Sequence, residues 1–197
     1  TAFIFTTPPQ TDTTNFLGLP YAMSFNFDTD APKIFATSGL YTESAMSFMT
    51  PLPPSNLAKL YDRGAKMIVY HGTADPVFSF NDTVSWLDSV KALFAANTDR
   101  FVKLFPVPGM GHCSGGPAAD QFDMIEPLVN WVEKGVAPTT VVASARGTGT
   151  SSIPALINAE VPATWAPNRT RPLCAYPTVA TYNGTGDINL AASFSCK

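Results

Sequence analysis

The stretch KMIVYHGTADPVFSFNDTVSWLDSVKALFAANTDRFVKLFPV, residues 66–107, decides the fold. It begins with KMIVYHG, an apolar run that is stopped by Gly72 and is typical of a buried strand. The segment NDTVSWLDSVKALFAA then predicts a helix, because its apolar residues recur on one helical face. Those residues are Val84, Leu87, Val90, Leu93 and Phe94. FVKLFPV, residues 101–107, predicts a second strand.

Helices are also predicted on both sides of this stretch. Ser55 can cap a short helix through NLAKLYDRG that ends at Gly64. Downstream, Asp123 and Glu126 form a start similar to a capping box, and the helix runs through MIEPLVNWVEKG to Gly135. Strand, helix, strand and helix at this spacing predict a parallel βαβα unit at the edge of an α/β sheet.

Two parallel strands do not make a complete fold, because parallel sheets need both faces covered and usually contain more strands. Residues 143–197 show no further alternation of strands and helices. We therefore expect this chain to be part of a larger α/β protein. Residues 1–54 then form irregular, cap-like structure and residues 55–142 the core, while residues 143–197 form a loop-rich tail packed on that core.

The composition excludes several classes of partner. With 45% hydrophobic residues the chain can form a core, yet no apolar run is long enough to cross a membrane. Charged residues make up only 14%, the net charge is −3, and there is no cluster of Lys or Arg. We therefore expect neither a nucleic acid nor an anionic membrane as a partner. Eighteen prolines and thirteen glycines predict long ordered loops.

The three cysteines favour an oxidising compartment, so we expect the protein to be secreted or periplasmic. Cys174 and Cys196 lie in the polar tail, where a disulfide between them would replace missing core. Cys113 is then unpaired, which in a secreted protein indicates a bond to another chain. Three sequons are glycosylation candidates if the source is eukaryotic. They begin at Asn81, Asn168 and Asn183.

Two chemically useful residues follow the two predicted strands. Asp75 lies in HGTADPVFS after the first strand, and His112 lies in PGMGHCSGG after the second. Because adjacent parallel strands lie about 4.8 Å apart, their exit loops can bring a carboxylate to an imidazole. Such a carboxylate fixes the tautomer of a histidine that removes a proton from a nucleophile. The sequence therefore predicts an acid–base pair, and a simple turn or loop role for each residue remains the alternative.

The sequence offers no matching serine. A nucleophile elbow needs G-x-S-x-G; GHCSG around Ser114 does not match, and the pattern occurs nowhere in the chain. Ser114 also follows the acid, whereas the serine comes first in the α/β enzymes that use this pair. A metal site formed by His71, Asp75, His112 and Cys113 lacks any standard zinc spacing. We therefore expect His71 to be structural and no metal ligands in this chain.

Three segments resemble the C-terminal part of the tannase/feruloyl esterase family. They are HGTADPVFS, PVPGMGHCSGGPAADQFDMIEPLVNWVEKGVAP and RPLCAYPTVATYNGTGDINLAASFSC. The resemblance implies an α/β fold, the C-terminal portion of an α/β-hydrolase with part of a lid domain in residues 1–54, and the nucleophile half missing. It also implies a Ser-His-Asp triad in which Asp75 is the acid and His112 the base. Cys113 then forms a disulfide with the cysteine that precedes the serine, outside this chain.

The resemblance further implies a serine carboxylesterase that hydrolyses small aromatic-acid esters of the feruloyl type. Its partner would be an N-terminal segment or chain of the same precursor, which carries the serine and is linked through Cys113. Phe78 could line the aromatic-acid pocket. No catalytic cofactor is expected, and a structural calcium would lie in the lid outside this chain. The alternatives are a tannase acting on galloyl esters and a catalytically dead, disulfide-stapled binding module.

Overall fold

The computed structural model describes residues 5–9, 19–51, 53–146 and 160–197. The chain divides into two compact units, Thr1–Pro53 and Pro54–Lys197. All the residues expected to carry chemistry belong to the second unit. In the described segments, none of the helices is both long and apolar enough to cross a membrane.

The described part of the first unit consists of short helices joined by irregular segments. They are α1 (Leu19–Ser24), α2 (Phe27–Asp30), the 3₁₀ turn Ala31–Ile34 and α3 (Ala45–Met49). The side chain of Asn26 caps α2 by accepting from the backbone N–H groups of Asp28 and Thr29. Ser44 caps α3 in the same way, by accepting from Ser47. The assignment of this unit to a lid stays a prediction.

The second unit is built on two parallel strands, β1 (Met67–Gly72) and β2 (Val102–Val107). Helix α5 (Phe80–Phe94) and the 3₁₀ segment Ala95–Arg100 connect them, as the alternation of strand and helix predicts. The register pairs Met67 with Val102 and Gly72 with Val107, so both strands end at the same level. Their exit loops therefore start side by side.

Two details of the predicted helices were wrong. Ser55 caps no helix: residues Pro54–Leu57 form a 3₁₀ turn, and α4 (Ala58–Asp62) follows without a side-chain cap. The fixed φ of Pro54 suits a first helical turn, which places Ser55 inside that turn. Leu93 is 55% exposed, because Phe94 covers the end of the core instead and packs its ring 4.9 Å from that of Phe101.

Helix α6 (Ile125–Lys134) begins two residues after Asp123, with Met124 as its N-cap rather than the predicted capping box. Oδ1 of Asp123 accepts from the backbone N–H of Ile125 at 2.7 Å, which satisfies one of the free donors of the first turn. The helix ends at Gly135, whose φ of 71° lies in the left-handed region that favours glycine. Trp131 is its buried residue.

The tail contains more regular structure than the sequence predicts. Strand β3 (Thr140–Ser144) pairs antiparallel with β4 (Thr170–Cys174), and β5 (Ala180–Tyr182) pairs antiparallel with β6 (Phe194–Cys196). The 3₁₀ turn Ala191–Ser193 precedes β6. The β3–β4 sheet joins segments far apart in the sequence, which no local alternation reveals. The expected Cys174–Cys196 disulfide is present and ties β4 to β6, and residues 147–159 of the tail lie outside the described residues.

Strand β2 contributes to both clusters of buried apolar side chains found among the described residues. Leu104 belongs to the cluster that contains Leu87 and Val90 of α5. Phe105 and Val107 belong to the cluster formed with the loop after β2 and with strands β3 and β4. Since β2 is packed on both faces, the loop that follows it starts from a fixed position.

Candidate active site

Two loops meet at the carboxyl ends of β1 and β2. We call residues 73–79 the acid loop and residues 108–117 the base loop. Their backbones are joined by a hydrogen bond from the Ala74 N–H to the Met110 carbonyl at 3.1 Å. The hydroxyl of Thr73 accepts a further one from the Gly109 N–H, also at 3.1 Å. The loops are therefore positioned by each other as well as by their strands.

The end of β1 approaches the base loop so closely that only glycine fits. A Cβ on Gly72 would lie 2.5 Å from the carbonyl oxygen of Gly111 and closer still to that of Met110. Both obstacles are backbone atoms, which cannot rotate away. Gly72, which the sequence indicates as the end of the strand, therefore also permits the contact between the loops.

This contact brings together the two residues that the sequence predicts as an acid–base pair. Nδ1 of His112 lies 2.9 Å from Oδ2 of Asp75. An ionised carboxylate can only accept, so Nδ1 carries the proton and donates it to this hydrogen bond. Nε2 is then free to accept a proton. The Asp75 side chain is 5% exposed, whereas that of His112 is 45% exposed.

Asp75 is held as an anion by the acid loop itself. Its Oδ1 accepts from the backbone N–H groups of Val77 at 2.7 Å and Phe78 at 3.0 Å. Burial acts to raise its pKa, but the hydrogen bond from His112, the two backbone N–H groups and the charge of an imidazolium outweigh burial. Together they lower the pKa of Asp75 from 3.8 to about 2. The carboxylate is therefore charged at every pH where a histidine base works.

His71 supports this loop from the other side. Its Nδ1 lies 2.7 Å from the hydroxyl of Thr83 on α5, and its Nε2 lies 3.2 Å from the Phe78 carbonyl oxygen. Nε2 is also 3.5 Å from Oδ2 of Asp75. With Nε2 as the donor, both ring nitrogens of His71 are satisfied within the fold. These contacts fit the structural role expected for it.

The base loop rests on a partly buried ionic network that no sequence pattern predicts. Oδ2 of Asp120 accepts from the backbone N–H of Gly115 at 2.8 Å, and Oδ1 accepts from Nε of Arg146 at 3.0 Å. Nη2 of Arg146 donates to the Gly116 carbonyl at 3.0 Å, and Glu160 accepts from the Gly116 N–H at 2.6 Å. The only sequence signal was a single carboxylate, Asp120, among small apolar residues.

Two other predicted residues, Phe78 and Cys113, and the rejected nucleophile Ser114 lie near His112. The ring of Phe78 is centred 5.4 Å from the imidazole and is 39% exposed. Cys113 has an exposed free thiol and a φ of 66°. Ser114 is also exposed. No three His, Cys, Asp or Glu side chains of the described segments are grouped so that they could hold a metal ion.

The three sequon asparagines are all exposed. Asn81 lies in the first turn of α5, Asn168 in the turn before β4, and Asn183 directly after β5. Exposure is required for glycosylation, and the modification itself stays a prediction.

A carboxylate and a histidine on loops that follow adjacent parallel strands, with the acid first in the sequence, form the arrangement of an α/β-hydrolase. The model of the family "Tannase and feruloyl esterase" matches residues 21–197. This chain belongs to that family, as the resemblance of its motifs indicates.

Individual relatives agree with this assignment. The chain is 45% identical over 174 residues to a mono(2-hydroxyethyl) terephthalate hydrolase from Piscinibacter sakaiensis, a match that covers 88% of this chain and 26% of that protein. It is 33% identical over 182 residues to a probable feruloyl esterase from Arthroderma benhamiae, covering 87% of this chain and 30% of that protein. The chain thus spans about a quarter to a third of the length of the curated relatives it matches.

Among solved structures, an esterase from Aspergillus oryzae superposes with a TM-score of 0.56 at 26% identity. The match covers 72% of this chain and 29% of the esterase. This match supports the α/β-hydrolase fold class expected from the sequence.

Proposed function

We propose that this chain supplies the acid and the base of a serine carboxylesterase, with Asp75 and His112 in those roles. The observation that carries the proposal is the hydrogen bond of 2.9 Å between Nδ1 of His112 and the buried Asp75 carboxylate. It leaves Nε2 as the proton acceptor on a half-exposed imidazole. Membership of a family of esterases supports the same reaction.

The proposed reaction has two steps. Nε2 of His112 takes the proton of a serine hydroxyl while the serine oxygen attacks the ester carbonyl carbon, and the resulting imidazolium gives the proton to the departing alcohol. A water molecule then attacks the acyl-enzyme with His112 again as the base, which releases the carboxylic acid and restores the serine. Asp75 stays ionised throughout and stabilises the imidazolium.

The serine is proposed to come from a part of the protein outside this chain. The sequence has no G-x-S-x-G, and the chain spans only 26% of its terephthalate-ester hydrolase relative. The exposed Cys113 beside the base is proposed to form a disulfide with a cysteine next to that serine, in an N-terminal segment or chain of the same precursor. Peptide mapping without reduction should find Cys113 in a cross-linked peptide; recovery of the free thiol would contradict this link.

The proposed substrates are esters of small aromatic acids, and the proposed location is secreted or periplasmic. Phe78 supports the choice of an aromatic acyl group, because its partly exposed ring lies beside the proposed base. The names of the relatives, a terephthalate-ester hydrolase and a feruloyl esterase, point to the same class. A tannase acting on galloyl esters is the second candidate, and any calcium is proposed to lie in a lid outside this chain.

Hydrolysis assays on the full-length protein test the proposal. Asp75→Asn and His112→Ala should each lower kcat by about 10³–10⁴-fold, because each removes an essential part of the proton relay. Asp99→Asn is the matched control, since Asp99 is 72% exposed and among the described residues forms an ion pair only with Lys103; it should keep full activity. Near-normal hydrolysis by either triad variant would rule out its role.

The choice of substrate is tested with methyl ferulate, methyl gallate and mono(2-hydroxyethyl) terephthalate. We expect the highest kcat/KM on the ferulate or the terephthalate; a preference for methyl gallate would favour the tannase. A fluorophosphonate probe should label the proposed serine. A protein that binds the esters, is not labelled and does not hydrolyse any of them would be the inactive binding module.

A further inference from the structure

A cleft lies behind the base loop. It has a volume of about 340 Å³ and is walled by β4, Trp165, Phe194 and both ends of the base loop. Most of its lining is apolar, with Leu173 at its wall. Arg169, directly before β4, and Arg171, within β4, are the only charged residues among the described residues that line it.

Each arginine of the cleft is stacked on an aromatic ring. The Arg169 guanidinium lies 4.3 Å from the centre of the Trp165 ring, and that of Arg171 lies 4.2 Å from the centre of the Phe194 ring. Stacking fixes the plane of a guanidinium while its N–H groups remain directed outward along the edge. The two groups are therefore held against aromatic rings before any ligand is present.

The donors of these arginines are only partly used. Nη1 of Arg169 donates to Asn189, and Nη1 of Arg171 donates to the Thr170 carbonyl. Nε of Arg169 is buried and finds no acceptor among the described residues. A guanidinium has five N–H donors, and a buried donor without a partner costs free energy. The two guanidinium groups thus keep N–H donors that no described residue accepts from.

The two guanidinium groups of the cleft also lack a carboxylate partner at salt-bridge distance, since no carboxylate among the described residues lies within 4 Å of either one. Burial lowers the pKa of both arginines, and the charge of Arg169 lowers that of Arg171 further, against a partial opposing effect of Asp187. Arg146 provides the contrast, because two carboxylates accompany it, Asp120 at 3.0 Å and Glu160 at 3.6 Å.

We propose that this cleft binds a small organic carboxylate with an apolar or aromatic body, at a site separate from the Asp75–His112 pair. The carboxylate would pair with the N–H edges of Arg169 and Arg171, the geometry in which guanidinium and carboxylate form two parallel bonds. The apolar body would cover Leu173 and Phe194. An inorganic anion matches the charge but leaves that apolar wall exposed.

A ligand bound in the cleft would contact the base loop, which carries His112. Gly109 and Pro117, near the two ends of the base loop, line it. If the proposed esterase function holds, the acid released by hydrolysis belongs to the class of ligand that this cleft would take. Binding in the cleft does not depend on hydrolysis, so each proposal can fail without the other.

Isothermal titration of the full-length protein with benzoate tests the site. We expect binding that weakens at least about tenfold in Arg169→Gln and in Arg171→Gln, since each substitution removes a charged hydrogen-bonding partner. The neutral analogue benzyl alcohol should bind at least about tenfold more weakly than benzoate. Arg63→Gln, which changes an exposed arginine outside the cleft, is the matched control and should bind benzoate like the unmodified protein.

Two further measurements separate this site from the first one and from a general anion site. Benzoate affinity should be retained in His112→Ala, and inorganic phosphate should compete poorly. Unchanged benzoate affinity in both glutamine variants, or phosphate binding as tight as that of benzoate, would overturn the proposal. If a glutamine variant does not fold, Arg169→Lys and Arg171→Lys replace it; they keep the charge but lose the paired donors, and unchanged affinity in them would equally overturn it.

Discussion

The acid loop and the base loop carry the two partners of one hydrogen bond, Asp75 and His112, but the two loops are held in different ways. Asp75 is fixed by N–H groups two and three residues along its own chain. The base loop is held by Asp120, five positions from Gly115, and also by residues distant in sequence, since Arg146 and Glu160 lie 30 and 44 positions from the Gly116 that they contact. A local turn thus positions the acid, whereas the position of the base depends on the folding of the tail.

The two loops also differ in exposure, and this difference suits their proposed roles. The Asp75 side chain is 5% exposed and His112 is 45% exposed. A buried carboxylate keeps its hydrogen bonds in a water-poor environment, where they are stronger. An exposed imidazole can meet a nucleophile and a substrate. The pair is rigid on the acid side and open on the base side.

The largest effect that tests this comparison is expected from Asp120→Ala. This change removes the acceptor of the Gly115 N–H and leaves the guanidinium of Arg146 without its nearer carboxylate. Breaking such a buried pair should lower the free energy of unfolding by about 3–5 kcal/mol. Urea unfolding measures the loss, and kcat under conditions where the variant is still folded should fall because His112 loses its support.

Glu160→Gln is the matched control for that variant. Glu160 is 49% exposed and a glutamine oxygen can still accept from the Gly116 N–H, so the free energy of unfolding should change by less than about 1 kcal/mol. If Asp120→Ala were as mild as this control, the base loop would be held by its own backbone, and the contrast between the two loops would disappear.

The Asp75 carboxylate of the acid loop should make the free energy of unfolding depend on pH. The pKa of Asp75 falls from 3.8 to about 2 on folding, so its contribution is complete well above pH 3.8 and disappears as the pH falls toward 2. The full contribution is about 2 kcal/mol, and roughly half of it should be lost by pH 3. Urea unfolding between pH 5.5 and 3 measures this loss.

Asp75→Asn supplies the comparison, because an amide does not titrate. The difference in unfolding free energy between the two proteins should shrink by about 1 kcal/mol between pH 5.5 and pH 3, because the contribution of the ionised carboxylate is lost. A difference that stays constant over this range would mean that Asp75 is not held as an anion by its turn and by His112.

The same contrast explains how much of the site could be predicted from the sequence. Asp75 and His112 follow strands with clear apolar patterns, and the parallel arrangement of those strands places their loops together. The identity of the pair could therefore be predicted from local patterns. Asp120 and Arg146 meet only because β3 and the tail fold onto the base loop. No periodicity marks such a pair, so the network became visible only in the structure.

The same difference between local and distant contacts separates the predicted parts of the fold from the unpredicted ones. The βαβ unit was predicted because each of its elements is defined by its own residues. Strands β3 and β4 pair across a separation that includes residues 147–159, and each strand is only five residues long. Their stability depends on the partner strand and on the core around Leu173 rather than on their own propensities. The short strands of the tail could therefore not be predicted from local patterns, whereas the Cys174–Cys196 disulfide was predicted.

The smallest expected effect concerns Phe78, which belongs to the acid loop but contacts the base. Phe78→Ala should lower kcat/KM for methyl ferulate by about 5–10-fold through loss of an aromatic contact of about 1 kcal/mol, mainly as a rise in KM. Methyl butyrate should be hydrolysed within about twofold of the normal rate. Val77→Ala is the matched control: it removes a neighbouring side chain that is 38% exposed and keeps the N–H that Asp75 needs. Equal losses on both esters would mean that Phe78 orders the two loops and does not bind the aromatic acid.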